Sequence, residues 1–184
     1  GKTFVSLNLA NSFISARKKV VLVDLDIRKG TLTAHFSKHS HHHAQGVTNY
    51  LADTDLRLDD IISSDTGVEG LDLIPSGSIA PNPAELLMDE RLDEMFKELR
   101  NRYDVIITDS VPVGLVADAT IANRVADLTL FVVRAGRLDR RQLPDIEAMY
   151  QERKLTNMSL LLNGADFHHH GYAYGYGYGY GHGY

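Results

Sequence analysis

Residues 20–28 read VVLVDLDIR, four aliphatic residues followed by two carboxylates and an arginine. A short, β-branched run of this kind is typical of a strand that is buried on both faces. Asp24 and Asp26 follow two residues apart, a spacing that puts both side chains on the same side of an extended chain. A carboxylate pair at the end of a buried strand needs a cation, and Mg²⁺ on nucleotide phosphates supplies one. The plainer alternative is a solvated loop, since loops often carry Asp.

Four more apolar runs are predicted to be strands, and amphipathic patterns separate most of them. The strands are expected at residues 71–74, 105–108, 128–133 and 158–162, and the helices at residues 4–18, 83–100, 115–125 and 140–153. Strands that alternate with helices indicate βαβ units and a parallel sheet. The predicted class is therefore α/β, a P-loop NTPase-like three-layer fold with a mostly parallel sheet that lacks its first strand in this fragment. Ligands of such sheets bind beyond the carboxyl ends of the strands.

The composition divides the chain into two parts. Residues 1–166 have an ordinary globular balance, whereas residues 167–184 contain almost only His, Gly and Tyr. Without aliphatic residues and with many glycines, the second part cannot offset its ordering entropy by building a core. We expect a catalytic domain over 1–166 and a disordered Gly/Tyr-rich tail over 167–184.

Composition also excludes several classes of function. The chain of 184 residues has no cysteine, which rules out disulfides, thiolate metal sites and a cysteine nucleophile. The formal net charge of −5 disfavours broad nucleic-acid binding, so no nucleic acid is expected as a partner. No apolar run approaches the roughly 20 residues of a membrane span.

Gly1-Lys2-Thr3 opens an amphipathic segment and matches the end of a Walker A loop, G-x-x-x-x-G-K-[ST]. In that loop the backbone N–H groups hold phosphate oxygens, the Lys reaches the β- and γ-phosphates, and the Thr hydroxyl binds Mg²⁺. Such a tripeptide also occurs by chance. The chain begins inside the motif, and we expect an upstream part to precede it.

A second acidic segment supports the nucleotide interpretation. Residues 103–110 read YDVIITDS, an apolar strand leading to Asp109, which has the form of a Walker B motif. An ordinary Asp at a strand-to-loop junction is the alternative. The three segments in this order are far more specific than any one of them.

Together these segments resemble the catalytic domain of bacterial protein-tyrosine kinases (the BY-kinase family). Residues 20–28 are similar to the Walker A′ motif of the family, an apolar run followed by D-x-D-x-R, and residues 104–109 resemble its Walker B motif. PNPAELL at residues 81–87 is similar to the P-N-P-x-E-L-L segment between those motifs, and the tail resembles the C-terminal tyrosine cluster. The resemblance covers nearly the whole chain.

The resemblance implies an ATP- and Mg²⁺-dependent tyrosine kinase with four catalytic residues: Lys2, Asp24, Asp26 and Asp109. Lys2 contacts the β/γ-phosphates, and Asp24 is the candidate base for the incoming tyrosine hydroxyl. Magnesium is assigned to Thr3, Asp26 and Asp109, and the nucleotide to Gly1, Lys2, Thr3 and Asn163. Asn163 corresponds to the position that contacts adenine in related ATPases; an Asn that starts a turn with Gly164 is the alternative.

The family also implies a setting and some departures. Its members control capsule and exopolysaccharide export at the cytoplasmic face of the bacterial inner membrane, form homo-oligomeric rings, and are joined or bound to a transmembrane activator. Here Ser110-Val111-Pro112 replaces the usual Thr-Pro-Pro of the family, and Ser110 keeps the hydroxyl.

The tail is interpreted as the substrate. Its tyrosines alternate mostly with glycine, and a thin, flexible backbone suits entry of a hydroxyl in line with a γ-phosphate. The expected phosphoacceptors are Tyr172, Tyr174, Tyr176, Tyr178, Tyr180 and Tyr184. An aromatic low-complexity segment with an adhesive role is the alternative. A further rival is a nucleotide-dependent switch like the septum-positioning and plasmid-partition ATPases, which need no tyrosine cluster.

Overall fold

The computed structural model describes residues 1–36, 45–111 and 118–165. The strands in these ranges are β1 (Val20–Asp24), β2 (Leu71–Ile74), β3 (Val105–Asp109), β4 (Thr129–Arg134) and β5 (Met158–Asn163). The α-helices are α1 (Lys2–Ser15), α2 (Thr31–Phe36), α3 (Val47–Ala52), α4 (Pro83–Met88), α5 (Glu90–Arg102), α6 (Asp118–Ala122) and α7 (Leu143–Gln151). Single 3₁₀ turns cover Leu58–Asp60, Asn123–Val125 and Arg140–Gln142. Each predicted strand is confirmed, with bounds that differ by at most one residue.

The strands form two parallel sheets in the described part of the chain. One has the order β2-β1-β3, and the other pairs β4 with β5. In the first sheet Asp24 is the register partner of Asp109. The predicted α/β class with parallel pairing is therefore confirmed, with the strands divided between two sheets because β3 and β4 do not pair.

Helices cover both faces of the three-stranded sheet. Val20 and Leu22 pack with Ala10 of α1 and Leu32 of α2. The alternate residues of β1 pack on the opposite side, with Met95 and Leu99 of α5 among their neighbours. Since successive side chains of a strand point to opposite faces, an unbroken aliphatic run lets β1 fill both layers of the core. Burial of each such side chain contributes about 1.5–3 kcal/mol.

The helix predicted over residues 83–100 is wrong in one respect, because two helices occupy this segment. Asp89 lies between α4 and α5 with an extended backbone, and its side chain accepts a hydrogen bond from the Arg91 N–H at 2.8 Å. An Asp in this position caps the second helix and satisfies one of the N–H groups at its start. The apolar periodicity runs through both helices and hides the break.

The other predicted helices differ from the structure mainly at their ends. The α1 helix stops at Ser15 because Arg17 adopts a left-handed conformation with φ of 59°. The segment expected over 115–125 contains α6 and a 3₁₀ turn, and its first three residues lie outside the described ranges. The short helices α2 and α3 were not predicted. Across the described ranges, no helix has both the length and the apolar character that a membrane crossing demands.

Candidate active site

Three buried carboxylates lie at the carboxyl end of the three-stranded sheet. Asp24 and Asp109 end neighbouring strands in register, and Asp26 follows two residues after Asp24. Their exposed fractions are 0% for Asp24, 8% for Asp26 and 4% for Asp109. Buried carboxylates are costly unless hydrogen bonds or cations compensate them. The hydrogen bonds around each carboxylate therefore indicate its role.

Asp109 is bonded to the start of α1. The Thr3 hydroxyl donates to Asp109 Oδ2 at 2.5 Å, and the backbone N–H of Leu25 donates to the Asp109 carbonyl at 2.9 Å. Burial raises the pKa of Asp109, an effect that the Thr3 hydrogen bond and the positive charge of Lys2 oppose. The N–H groups of the first turn of α1 have no partner within the helix, and that end of the helix favours anions. The start of α1 and the end of β3 therefore lie side by side, which brings Lys2 and Thr3 close to Asp109.

Asp24 is held by the short helix α2. Its Oδ2 accepts from the Thr33 N–H at 2.7 Å and from the Thr33 hydroxyl at 2.6 Å, while its Oδ1 accepts from the Asp26 N–H at 3.1 Å. Burial raises the pKa of Asp24, and these hydrogen bonds act in the opposite direction. The nearby charge of Asp109 raises the pKa further.

The Thr33 hydroxyl also contacts the loop that follows β2. It accepts from the Ser76 N–H at 2.8 Å and lies 3.2 Å from the Ser76 hydroxyl. A Cβ on Gly30 would lie 2.6 Å from Ser76 Oγ, and Gly30 has a φ of 57°, a conformation that favours glycine. Gly30 thus permits the close contact between the loops after β1 and β2.

Asp26 organises the turn between β1 and α2. Its carbonyl accepts from the Lys29 and Gly30 N–H groups at 3.1 and 2.6 Å, and its Oδ1 accepts from the Lys29 N–H at 3.2 Å. The Thr31 hydroxyl lies 3.5 Å from Asp26 Oδ2. The turn keeps the Asp26 carboxylate near Asp109. The negative charge of Asp26 raises the pKa of Asp109.

Asn163 lies beside the start of α1, although β5 belongs to the other sheet. A Cβ built on Gly1 would lie 3.4 Å from Asn163 Nδ2. The carboxyl end of β5 therefore meets the same helix terminus as the carboxyl end of β3. Two of the residues that the sequence assigned to the nucleotide, Gly1 and Asn163, are therefore neighbours.

The residues present fit a magnesium-bound nucleotide. Thr3 and the aspartates supply oxygen atoms, which Mg²⁺ prefers, and Mg²⁺ commonly takes only one or two protein carboxylates together with phosphates. The Ser110 hydroxyl, next to Asp109, is buried and has no hydrogen-bond partner among the described residues. A buried hydroxyl of this kind is costly unless it has a hydrogen-bond partner. Within those ranges no group of three or more His, Cys, Asp or Glu residues is arranged to hold a metal ion.

A cavity of about 230 Å³ lies beside this group, and Thr33, Ser76, Gly77, Ile79 and the exposed Lys29 are among the residues that line it. Thr33 therefore lines the cavity and also donates hydrogen bonds to Asp24. The sequence interpretation missed Thr33 and Ser76, because each is an isolated hydroxyl residue outside any motif. The predicted phosphoacceptor tyrosines, from Tyr172 to Tyr184, lie outside the described residues.

Comparison with known proteins assigns the chain to a family. Residues 1–160 match the family described as "AAA domain". The chain is 35% identical over 170 residues to the tyrosine-protein kinase CpsD of Streptococcus pneumoniae serotype 4, covering 90% of this chain and 71% of that protein. It spans only 22% of a longer relative from Klebsiella pneumoniae.

Solved structures agree with this assignment. The kinase domain of the Escherichia coli tyrosine kinase ETK matches with a TM-score of 0.80 and 31% identity, over 96% of this chain and 67% of that one. The septum site-determining protein MinD of Pyrococcus horikoshii matches with a TM-score of 0.68 at 24% identity, over 88% of this chain and 64% of that one. This second likeness concerns the fold alone. On these relatives and this fold, the chain is a nucleotide-binding domain of the P-loop ATPase type and belongs to the family of bacterial tyrosine-protein kinases.

Proposed function

We propose that this protein is an ATP-dependent protein-tyrosine kinase that phosphorylates the tyrosine cluster at its own C-terminus. The observation that carries the proposal is the contact between Thr3 and Asp109, with Asp24 in register beside them. A phosphate-binding helix terminus and a second buried carboxylate in one place provide what phosphoryl transfer requires: a positioned donor and a group that orients the acceptor.

Gly1, Lys2 and Thr3 are assigned to the phosphates. Lys2 opens α1, where the helix dipole and the free N–H groups favour an anion. Its charge adds to that field and is near enough to Asp109 to oppose the rise in the pKa of that carboxyl. Asn163, beside Gly1, is assigned to the nucleotide base.

Thr3, Asp26 and Asp109 are assigned to Mg²⁺. Because the Thr3 hydroxyl donates its proton to Asp109, that bond does not use the lone pairs of its oxygen, which can face a cation. Bound magnesium would neutralise charge on the phosphates, and ATP supplies the transferred phosphoryl group. The side chains of this chain position the donor and shield it from water.

Asp24 is assigned as the base for a tyrosine hydroxyl, and the acceptors are Tyr172, Tyr174, Tyr176, Tyr178, Tyr180 and Tyr184. These six tyrosines fall within thirteen residues, mostly separated by glycine. A thin, unbranched backbone lets successive side chains enter one site. We assign residues 1–166 to the catalytic domain and 167–184 to the substrate tail.

For the whole protein we propose a role in the synthesis or export of capsule or exopolysaccharide. The relatives support this, since the Streptococcus protein bears the name CpsD. The same proposal includes a homo-oligomeric ring, a transmembrane activator and a location at the cytoplasmic face of the inner membrane. They are supported by the resemblance to the family.

The test is incubation of the purified protein with Mg-ATP, followed by phosphotyrosine detection and mass spectrometry of the tail. The wild type is expected to label the tail, and Lys2→Met is expected to lower the rate of labelling about 100- to 1000-fold. A protein with the six tail tyrosines changed to Phe is expected to release phosphate without labelling. Phosphate release by the wild type with no phosphotyrosine would favour the nucleotide-dependent switch.

A further inference from the structure

We propose that Thr33 is a positioning residue, which orients the Asp24 carboxylate so that its Oδ1 receives the proton of the acceptor hydroxyl. This inference rests on the proposed kinase function and assigns a role to a residue that no motif includes. Four observations carry it: the distribution of hydrogen bonds on Asp24, the burial of Asp24, the anchoring of the Thr33 hydroxyl by Ser76, and the position of Thr33 at the cavity wall.

The two oxygens of Asp24 are used unequally. An ionised carboxylate has about four lone-pair sites, two on each oxygen. Both donors of Thr33, the N–H at 2.7 Å and the hydroxyl at 2.6 Å, bind Oδ2. The Asp26 N–H binds Oδ1 at 3.1 Å. Among donors from the described residues, Oδ2 therefore receives two hydrogen bonds, both from Thr33, and Oδ1 receives one, which leaves one acceptor site on Oδ1.

The second observation is the complete burial of Asp24, which has an exposed fraction of 0%. Burial withholds the carboxylate from bulk water. A buried carboxylate must already point in the right direction when its substrate binds. Effective proton transfer requires the base within hydrogen-bond reach of the proton.

The anchoring of Thr33 makes its hydroxyl directional. Because the Ser76 N–H donates to Thr33 Oγ1 at 2.8 Å, the hydroxyl proton is directed to Asp24. Ser76 follows β2 and is itself buried. Rotation of Asp24 is thus resisted by a hydroxyl that is fixed from the neighbouring strand.

Thr33 also lies between Asp24 and the cavity of about 230 Å³. The residue that binds the Asp24 carboxylate therefore also borders this cavity. In the proposed step, Asp24 takes the acceptor proton on Oδ1. At the same time the acceptor oxygen bonds to phosphorus, and the bridging oxygen leaves with ADP.

The experiment compares Thr33→Val, which keeps the shape of the side chain but removes the hydroxyl, with Thr33→Ser, which restores the hydroxyl. A synthetic peptide of residues 171–184 serves as the acceptor, and kcat and KM for the peptide are measured with saturating Mg-ATP. A general base contributes 10²–10⁴-fold, so a misdirected base is expected to lower kcat about 10- to 100-fold. We expect KM for the peptide and the Kd for a fluorescent ATP analogue to change less than about 2-fold, since binding is retained.

Thr66→Val is the matched control. Thr66 is also buried and its hydroxyl lies near the carbonyls of Val68 and Leu71, but it is at the opposite end of β2 from Ser76. Its removal tests the loss of a buried hydroxyl without a change at Asp24. We expect wild-type kcat for this variant, even if its melting temperature falls as far as that of Thr33→Val.

The Thr33→Ser variant distinguishes a positioning role of Thr33 from a purely structural one. Thr33→Ser is expected to keep kcat within about 3-fold of the wild type, because its hydroxyl can make the same bond. Wild-type kcat in Thr33→Val overturns the inference, as does a Thr33→Ser protein that is as slow as Thr33→Val. A wild-type protein that transfers no phosphate to any tyrosine overturns the proposed function, and this inference with it.

Discussion

The Thr3 hydroxyl donates to Asp109 Oδ2 at 2.5 Å, joining the first turn of α1 to the end of β3 across 106 positions of the chain. The motif residues at the two ends of this bond are thereby placed in one site. A buried carboxylate with a hydroxyl donor at this distance makes a strong, charge-assisted hydrogen bond. The bond also fixes the orientation of the Thr3 hydroxyl.

Thr3→Val is expected to weaken nucleotide binding only when magnesium is present. The change removes the oxygen assigned to the ion and leaves Lys2 and the helix terminus in place, so we expect about a 10-fold higher Kd with Mg²⁺, or about 1.4 kcal/mol. Titration of a fluorescent ATP analogue, with Mg²⁺ and with EDTA, measures the effect. Thr3→Ser is the control and is expected to bind as the wild type. A loss of affinity that is the same in EDTA would contradict the assignment.

Lys2→Met is expected to lower phosphotransfer about 100- to 1000-fold, the usual effect of removing one preorganised group that stabilises transition-state charge. Lys2 lies at the first position of α1, where its charge reaches Asp109. Tail phosphorylation is measured by quantitative mass spectrometry over time. Lys18→Met, beyond the other end of α1, is the control. Equal rates in the Lys2→Met and wild-type proteins would exclude Lys2 from the site.

Ser110→Ala is expected to leave the free energy of unfolding unchanged or to raise it by about 1 kcal/mol, because its buried hydroxyl has no partner among the described residues and such a group is costly. The same change is expected to reduce the rise in melting temperature that Mg-ATP produces. Ser64→Ala is the control with the opposite expected result, since the Ser64 hydroxyl donates a hydrogen bond to Asp72 Oδ1 at 2.6 Å. That control is expected to lose stability and keep the full nucleotide-induced rise. A destabilised Ser110→Ala protein with a normal rise would contradict the prediction.

Ionisation of Tyr103 is expected to make the free energy of unfolding depend on pH in the alkaline range. Its hydroxyl donates to Asp72 Oδ2 at 2.6 Å, and burial, followed by this hydrogen bond, raises the pKa of Tyr103. Above about pH 10 the unfolded state loses its phenolic proton before the folded state does, so stability falls as pH rises past that point. Tyr103→Phe is expected to cost about 1–2 kcal/mol at pH 8 and to have a shallower decline above pH 10. Urea unfolding from pH 8 to 11 measures both, and an unchanged slope would refute the prediction.

Arg91 is expected to be a stability residue. Its guanidinium donates to the carbonyls of Tyr50, Asp53 and Leu56 at 2.9, 3.1 and 3.2 Å, and lies 4.2 Å from the centre of the Tyr50 ring. Arg91→Met leaves these carbonyls without their donor and is expected to cost about 2–3 kcal/mol in urea unfolding. Arg141→Met is the control, with a side chain that is 90% exposed and paired to Asp139. That exposed pair is worth about 0–1 kcal/mol. Equal losses in the two proteins would show that Arg91 has no special role.

Periodicity and motif spacing were enough to predict the strands and the class of the fold. An aliphatic run such as 20–23 can be satisfied only between two apolar layers, so the burial of β1 on both faces followed from composition. Helix ends were less predictable. The break at Asp89 depends on a cap that competes with an uninterrupted apolar pattern, and the pattern does not show which of the two prevails.

For the candidate site, the sequence by itself determined which chemical groups are available: a glycine-lysine-threonine start to a helix, and carboxylates at two strand ends. Only the tertiary structure decided how those groups are oriented. The parallel register of β1 and β3 places Asp24 beside Asp109, and the packing of α1 brings Thr3 to Asp109. The hydrogen bonds made by Thr33 and Ser76 also depend on the tertiary structure. They join loops that follow different strands, and a hydrogen bond between residues 43 positions apart leaves no local pattern for the sequence to display.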